Sequence, residues 1–293
     1  MAYIYNTDIG IAVFGYNRPR ELEKTLSKLS IFVNSSIFNI KVIVFIDGPK
    51  NKKDIKSTGM ISLFTQKFSN FEFRISKTNK GLKNSIYNGL DEISDNFEYF
   101  FVFEDDIILL SNLDNVICNV LQKSLFDAYS SVCLYCPLGI NLRNFFSKIK
   151  LIETYRMQCW GWFTSSKNWK YFRRECSDDL LHSIDKDDYI FQIGEDSYNR
   201  LQETIFQKRP LWANQWIAFN KVVTKPSLVL SCSFATNIGI GTGANKFSNF
   251  SKIKEIVNFF VSKSKLFFAK TDDIEITKIS KSELEIITNR QIV

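Results

Sequence analysis

The sequence predicts an α/β protein built on a mostly parallel sheet with helices on both faces. Over the first hundred residues, short apolar runs alternate with helical patterns. The runs are almost continuously apolar, as strands covered on both faces must be. Their carboxyl ends carry the polar residues, and in open parallel sheets ligands bind beyond those ends.

Residues 9–14 (IGIAVF) form the first run and stop at Gly15-Tyr16-Asn17-Arg18-Pro19. Residues 21–29 then place Leu22, Leu26 and Leu29 on one helical face. A second run, 41–46 (KVIVFI), ends at Asp47-Gly48-Pro49 and is followed by a polar stretch and a helix over 61–68. Residues 71–75 read as a third strand, 82–93 as a third helix and 99–103 (YFFVF) as a fourth strand. A helical pattern returns over 111–129, with a further strand at 131–135. Beyond about residue 140 the alternation gives way to aromatic loops and short helices, and all five Trp lie there, at 160, 162, 169, 212 and 216. The last twenty or so residues read as a strand and a short helix.

Composition excludes several classes. With 45% hydrophobic residues, 24% charged, 12 Gly and 5 Pro in 293 residues, the chain is neither disordered nor low in complexity. Its 38 Lys and Arg against 31 Asp and Glu leave a net charge of +7, which suits an anionic partner without naming one. A single His rules out a histidine-based metal cage. The start, MAYIYNTDIG, has neither a basic nor an apolar segment of a signal peptide, so residence in the cytosol is expected. No apolar run approaches the roughly 18 residues of a membrane span. The six Cys are scattered, and Cys133-x-x-Cys136 alone favours reduced structural thiols over zinc.

Glu104-Asp105-Asp106 is the strongest local signal. Three adjacent carboxylates between two apolar runs repel one another and resist joint desolvation, so a cation is expected beside them. Mg2+ or Mn2+ fits oxygen ligands of this kind, commonly with one or two protein carboxylates plus phosphate oxygens.

These residues, in this order, resemble the nucleotide-diphospho-sugar glycosyltransferases of the GT-A (Rossmann-like) fold, over roughly residues 9–245. IAVFGYNRP resembles the family's first strand and nucleotide loop, VIVFIDGPKN its second strand, and NKGLKNSIYNGL, with Gly81, the approach to the next helix. FVFEDDIIL resembles its D-x-D element in the E-D-D form of the N-acetylglucosaminyltransferase that initiates complex N-glycans. CWGWFTSSKNW is similar to the C-W-G-W block of bacterial relatives, and NIGIGTG to a Gly-rich segment near their end.

The resemblance implies a metal-dependent hexosyltransferase or N-acetylhexosaminyltransferase. It would move a sugar from a nucleotide diphosphate donor, a UDP-sugar foremost, to a saccharide or lipid-linked acceptor in surface polysaccharide synthesis. It divides the chain into a nucleotide-sugar half (1–110), an aromatic-rich acceptor half (111–250) and a C-terminal extension (251–293). Asp106 would ligate the metal, with Glu104 and Asp105 on sugar, ribose or metal-bound water. Asp47 would accept from the base, Tyr16 and Asn17 would line it, and Arg18 would meet phosphate. Trp160, Gly161 and Trp162 would wall the sugar or acceptor.

An inverting transferase needs a base for the acceptor hydroxyl, and Glu195 or Asp196 is the expected one. Relatives carry an acid immediately before the Trp matching Trp212, where this chain has Pro210-Leu211. Glu195 or Asp196 has taken the role, or configuration is retained, or the chain binds without transferring. Relatives also bear a His where this chain has Asn245.

Other motifs fail on context. Gly239 to Ala244 satisfies G-x-G-x-x-A without a βαβ unit around it. Asp185-Lys186-Asp187 reads as a solvated turn, and no nucleophile elbow accompanies His182. The first strand is followed by no Gly-rich loop of the kind a nucleotidyltransferase shows. No concentrated basic stripe marks nucleic acid. Residues 251–270 mix Lys with Ile, Val and Phe at helical spacing, which leaves two readings open: a helix packed on the sheet, or peripheral contact with anionic lipid on the inner face of the cell membrane.

Overall fold

The computed structural model describes residues 6–206, 211–239, 249–268 and 274–288. Its strands are β1 (Asp8–Gly15), β2 (Asn39–Ile46), β3 (Glu72–Ile75), β4 (Tyr99–Glu104), β5 (Ile107–Leu109), β6 (Val132–Cys133), β7 (Lys150–Thr154), β8 (Trp162–Ser165), β9 (Ser227–Leu230), β10 (Ala235–Asn237) and β11 (Glu275–Lys278). Nine of them form one sheet in the order β11-β7-β9-β6-β8-β4-β1-β2-β3, and β5 pairs with β10 in a separate ribbon. β4, β1, β2 and β3 run parallel, while β8 lies antiparallel between β4 and β6. This is the expected fold class, a mostly parallel α/β sheet with helices on both faces.

Helices cover both faces because the strand side chains alternate. Ile9, Ile11 and Val13 of β1 join Leu22, Leu26 and Leu29 of helix Pro19–Ser35 in one core. Ala12 and Phe14 join Ile86, Leu90 and Ile93 of helix Leu82–Asn96, together with Trp162, Trp169 and Trp216, in the other.

Two expectations are corrected. The polar stretch after β2 is itself a helix, Lys52–Ser62, whose first turn is capped by the Asn51 side chain accepting from Lys53 N and Asp54 N. The helix expected over 61–68 shrinks to Phe64–Lys67. The region beyond residue 140 is also no collection of loops: β7, β8 and β9 carry the sheet onward through it. Those strands have four or five residues each, too short for a periodicity to stand out. The C-terminal part holds helix Asn249–Phe268, β11 and helix Lys281–Thr288. All six cysteines are free thiols, and burial pushes Cys133 up to about 12 and Cys136 well above the ordinary range.

Among the described residues, no helix is long and apolar enough to cross a membrane.

Candidate functional site

The parallel register of β4, β1 and β2 brings their carboxyl ends side by side, so Glu104, Gly15 and Ile46 hand the chain over to loops on one edge of the sheet. That is why Tyr16-Asn17-Arg18, Asp47 and Glu104-Asp105-Asp106, far apart in sequence, converge. At the centre is Arg18, whose Nη1 donates to Asp106 Oδ2 and whose Nη2 donates to Asp105 Oδ1. The cation expected beside the triplet is therefore partly supplied by the chain. Tyr16 N donates to Asp105 Oδ2 at 3.3 Å, and Thr25 Oγ1 donates to the Asp105 carbonyl at 2.9 Å, tying the turn to helix Pro19–Ser35.

One guanidinium does not balance three carboxylates. Burial, then the charges of Asp106 and Asp105, push Glu104 up to about 8 against a smaller opposing pull from Arg18. Burial pushes Asp105 up to about 6, although Arg18 draws it down. The surplus negative charge marks a place for a further cation.

The start of the Gly-rich segment, Ile238 and Gly239, lies over this turn. Ile238 N donates to the Asp106 carbonyl at 2.8 Å, continuing the β5–β10 ribbon in which Asn237 pairs with Ile107. Gly239 then lies so close that a Cβ there would stand 2.2 Å from Asp106 Oδ2 and 2.8 Å from Arg18 Nη1. Only glycine leaves that space open. Gly241, Gly243 and Asn245 lie outside the described residues.

Asp47 departs from its expected role. Its Oδ1 accepts from Gly48 N and Lys80 N at 2.9 and 2.8 Å, and its Oδ2 from Gly81 N and Asn79 Nδ2 at 2.9 and 3.0 Å. These four bonds use the acceptor capacity of a carboxylate. Asp47 therefore fastens the 79–81 loop rather than offering itself to a base. Gly81, with φ +77°, turns that loop into helix Leu82–Asn96. Tyr16 Oη donates to Asp54 Oδ2 at 2.5 Å and Asn17 Nδ2 to Asp54 Oδ1 at 3.0 Å, so both pin the loop after β1 to helix Lys52–Ser62. Asp54 and Asn79 are functional neighbours that sequence reasoning missed. The Asn51 cap, which fixes Asp54 in the first helical turn, is the signal that points to the former.

The tryptophans divide. Trp162 is fully buried on β8, stacked on Trp212 with ring centroids 5.8 Å apart, so it belongs to the core and not to a sugar wall. β8 is buried along its whole length, so Trp162 is enclosed between the sheet and the helices that carry Trp169, Trp212 and Trp216. Trp160 is only half-buried, edge-on to Tyr135 at 4.5 Å. Gly161 sits beside β10, since Leu134 N donates to Gly161 O and Phe234 N to Leu134 O.

Asp196 is corrected as a base. Arg156 grips it with both nitrogens, at 2.5 and 2.7 Å, in a buried pair. Burial works to raise its pKa, but the Arg156 hydrogen bonds and charge hold it below the ordinary range, so it is a weak proton acceptor. Glu195, next to it at the start of helix Glu195–Ile205, is exposed. Among the described residues no hydrogen bond or ion pair joins either acid to the triplet.

The residues of the triplet fit a hard divalent ion by donor chemistry, because every available donor is a carboxylate oxygen and the local charge is in deficit. Among the described residues no group of three or more His, Cys, Asp and Glu side chains is arranged to hold a metal ion, so the protein would contribute at most two carboxylates to the coordination.

No family model and no curated protein matches this sequence. Among solved structures the chain is similar to the mannosyltransferase PcManGT from Pyrobaculum calidifontis, in complex with GDP-Man and Mn2+, at 9% identity and a TM-score of 0.46, covering 91% of this chain and 66% of that one. It thus spans just under two thirds of that protein's length. It is also similar to S. aureus TarS 1-349, at 12% identity and a TM-score of 0.42, covering 96% of this chain and 69% of that one.

Proposed function

We propose that the chain transfers a sugar from a nucleotide diphosphate donor to a saccharide or lipid-linked acceptor at the β4–β1–β2 edge, with the help of a divalent metal ion. The observation that carries this reading is the undercompensated triplet, in which Glu104, Asp105 and Asp106 share Arg18 beneath Gly239. Such a deficit attracts a cation that brings phosphate oxygens with it. Asp106 would hold the metal, with Glu104 or Asp105 beside it. When bound, the metal would offset charge developing on the diphosphate as the glycosidic bond breaks. Arg18 would steady the carboxylates and meet the leaving phosphate, and the backbone of Gly239 would leave room for both. The half-buried Trp160 would offer its ring to a sugar face. Glu195 is the remaining acid proposed as base.

Titration calorimetry with Mn2+ and UDP-, GDP- and dTDP-sugars tests the proposal. One donor is expected to bind only with metal, and Asp106→Ala is expected to abolish that binding while leaving the fold intact. No binding of any donor at any metal concentration overturns the reading. A second reading, binding without transfer, is favoured by the engagement of Asp196 with Arg156. Donor hydrolysis or transfer would eliminate it.

A further inference from the structure

Helix Asn249–Phe268 is amphipathic in the inverted sense. Its inward face is polar: Asn258, Ser262 and Lys265 are 1%, 0% and 2% exposed. Asn258 Nδ2 donates to the Cys136 carbonyl at 2.9 Å, and Asn141 Nδ2 donates to Asn258 Oδ1 and Ser262 Oγ at 2.8 and 2.7 Å. The buried Lys265 donates to the carbonyls of Asn144 and Ser231. The outward face is apolar. Ile253, Ile256, Val257, Phe260, Phe267 and Phe268 follow one stripe at helical spacing, and the three phenylalanines are 63%, 82% and 80% exposed. A surface helix ordinarily does the reverse, and an exposed apolar stripe about 20 Å long marks an interaction surface.

The charges around the stripe select its occupant. Lys252 and Lys254 flank it one on each side, and Lys263 stands at its edge with Nζ donating to the Leu110 carbonyl at 2.6 Å. Lys24 and Lys28 project from helix Pro19–Ser35, and Lys28 stands close enough for its charge, after burial of the Lys263 stem, to depress the Lys263 ammonium. The one acid of the outer helix, Glu255, turns inward, accepting from Tyr135 Oη at 2.6 Å. A second copy of the chain would bring the same lysines face to face. An anionic lipid surface would meet the lysines with headgroups and the phenylalanines with acyl chains.

We infer that the outer face of helix Asn249–Phe268 docks the protein on an anionic bilayer, its aromatic stripe entering the headgroup boundary and its lysine rim holding the lipid phosphates. Phe146, 99% exposed and two residues beyond the Asn144 carbonyl that holds Lys265, adds a further apolar tip beside the same helix. Glu255 touches Tyr135, and Tyr135 packs on Trp160, so the docking helix is two contacts from the proposed sugar wall. Resting on the transferase reading, this placement would bring a lipid-linked acceptor to the site from the membrane itself.

Co-sedimentation with vesicles of phosphatidylcholine, with and without phosphatidylglycerol, tests the inference. The full chain is expected to bind the anionic vesicles and to be released by salt. The double variant Phe260→Asp/Phe267→Asp is expected to lose at least about tenfold in partitioning, and Lys24→Glu/Lys28→Glu to lose binding to anionic vesicles only. Both pairs are exposed, so circular dichroism and Tm should stay unchanged, as should donor binding in solution. Absent binding to anionic vesicles, or unchanged binding by the aspartate variant, overturns the inference. So does a wild-type dimer that the aspartate variant dissociates without any vesicle binding, which would assign the face to a second copy. Should the wild-type protein bind vesicles but no nucleotide sugar, the docking stands and the transferase reading falls.

Discussion

Arg156 meets a single carboxylate with both arms of its guanidinium, whereas Arg18 is shared between two carboxylates with a third beside them. Both clusters are largely buried, and both were singled out from the sequence by their acids. Their electrostatics differ in sign: Asp196 is held below the ordinary carboxylate range, whereas Glu104 and Asp105 are pushed above it. A closed pair of this kind is structural, because each charge already has its partner. An open cluster keeps an unmet demand for positive charge, and that demand is what a metal-bridged diphosphate would satisfy. Acidity in the sequence marks both equally; only the count of partners separates them.

The sharpest way to break this contrast is Asp196→Ala. It leaves the Arg156 charge buried and unpaired, and the expected cost is about 3–5 kcal/mol in urea denaturation. A stable variant with lost turnover would instead return Asp196 to catalysis. A medium effect is expected at the open cluster. The folded chain holds a proton on Glu104 that the unfolded chain, with an ordinary value of 4.5, has lost. The folded state therefore binds more protons between about 4.5 and 8, and stability falls as pH rises through that window. Glu104→Gln should flatten this slope, recovering about 2 kcal/mol at the alkaline end, less than the full shift implies because the carboxyl is partly exposed. Metal binding should expel the same proton, so heats measured with Mn2+ in two buffers of different ionisation enthalpy should differ in the wild-type protein and converge in Glu104→Gln. The smallest effect is expected at Asp47→Asn, which weakens the three bonds to residues 79–81 and the one to Gly48. A loss of about 1–2 kcal/mol, with a modest weakening of donor binding, should appear in thermal unfolding and calorimetry.

Strands β1, β2 and β4 were legible because each is a run of apolar residues closed by a turn, as in KVIVFI before Asp47-Gly48-Pro49, whereas the edge strand β3, EFRI, alternates. Strands β7 to β9 were not, because their stability comes from partners across the sheet and not from local pattern; Ile152 and Val229, for example, are paired neighbours 77 positions apart. In the site, the triplet was legible from its setting between apolar runs. The partners were less so. No spacing rule ties Arg18 to acids 87 and 88 residues on, or Arg156 to one 40 residues on. Asp47 was recognised as important for the wrong reason, since one sequence position cannot reveal that two backbone amides and an asparagine from residues 79–81 already occupy it. Trp160 and Trp162 stand two residues apart, but β8 begins only at Trp162 and Gly161, with φ +80°, turns the chain between them, leaving Trp160 half-buried and Trp162 in the core.

The glycine lying on Asp106 also bears on the order in which the site comes into being. Asp106 and Gly239 are separated by most of a domain's length of chain, and the ribbon that joins them, β5 with β10, consists of three residue pairs. Bringing such distant segments together is a late event in folding, since the closure entropy of the intervening chain must be offset by contacts formed first. During synthesis the carboxylates would emerge, with Arg18, well before the segment that covers them. The proposed metal and donor site is therefore a product of the completed sheet, and a chain stopped before residue 239 would carry the acids without the glycine that lies over Asp106.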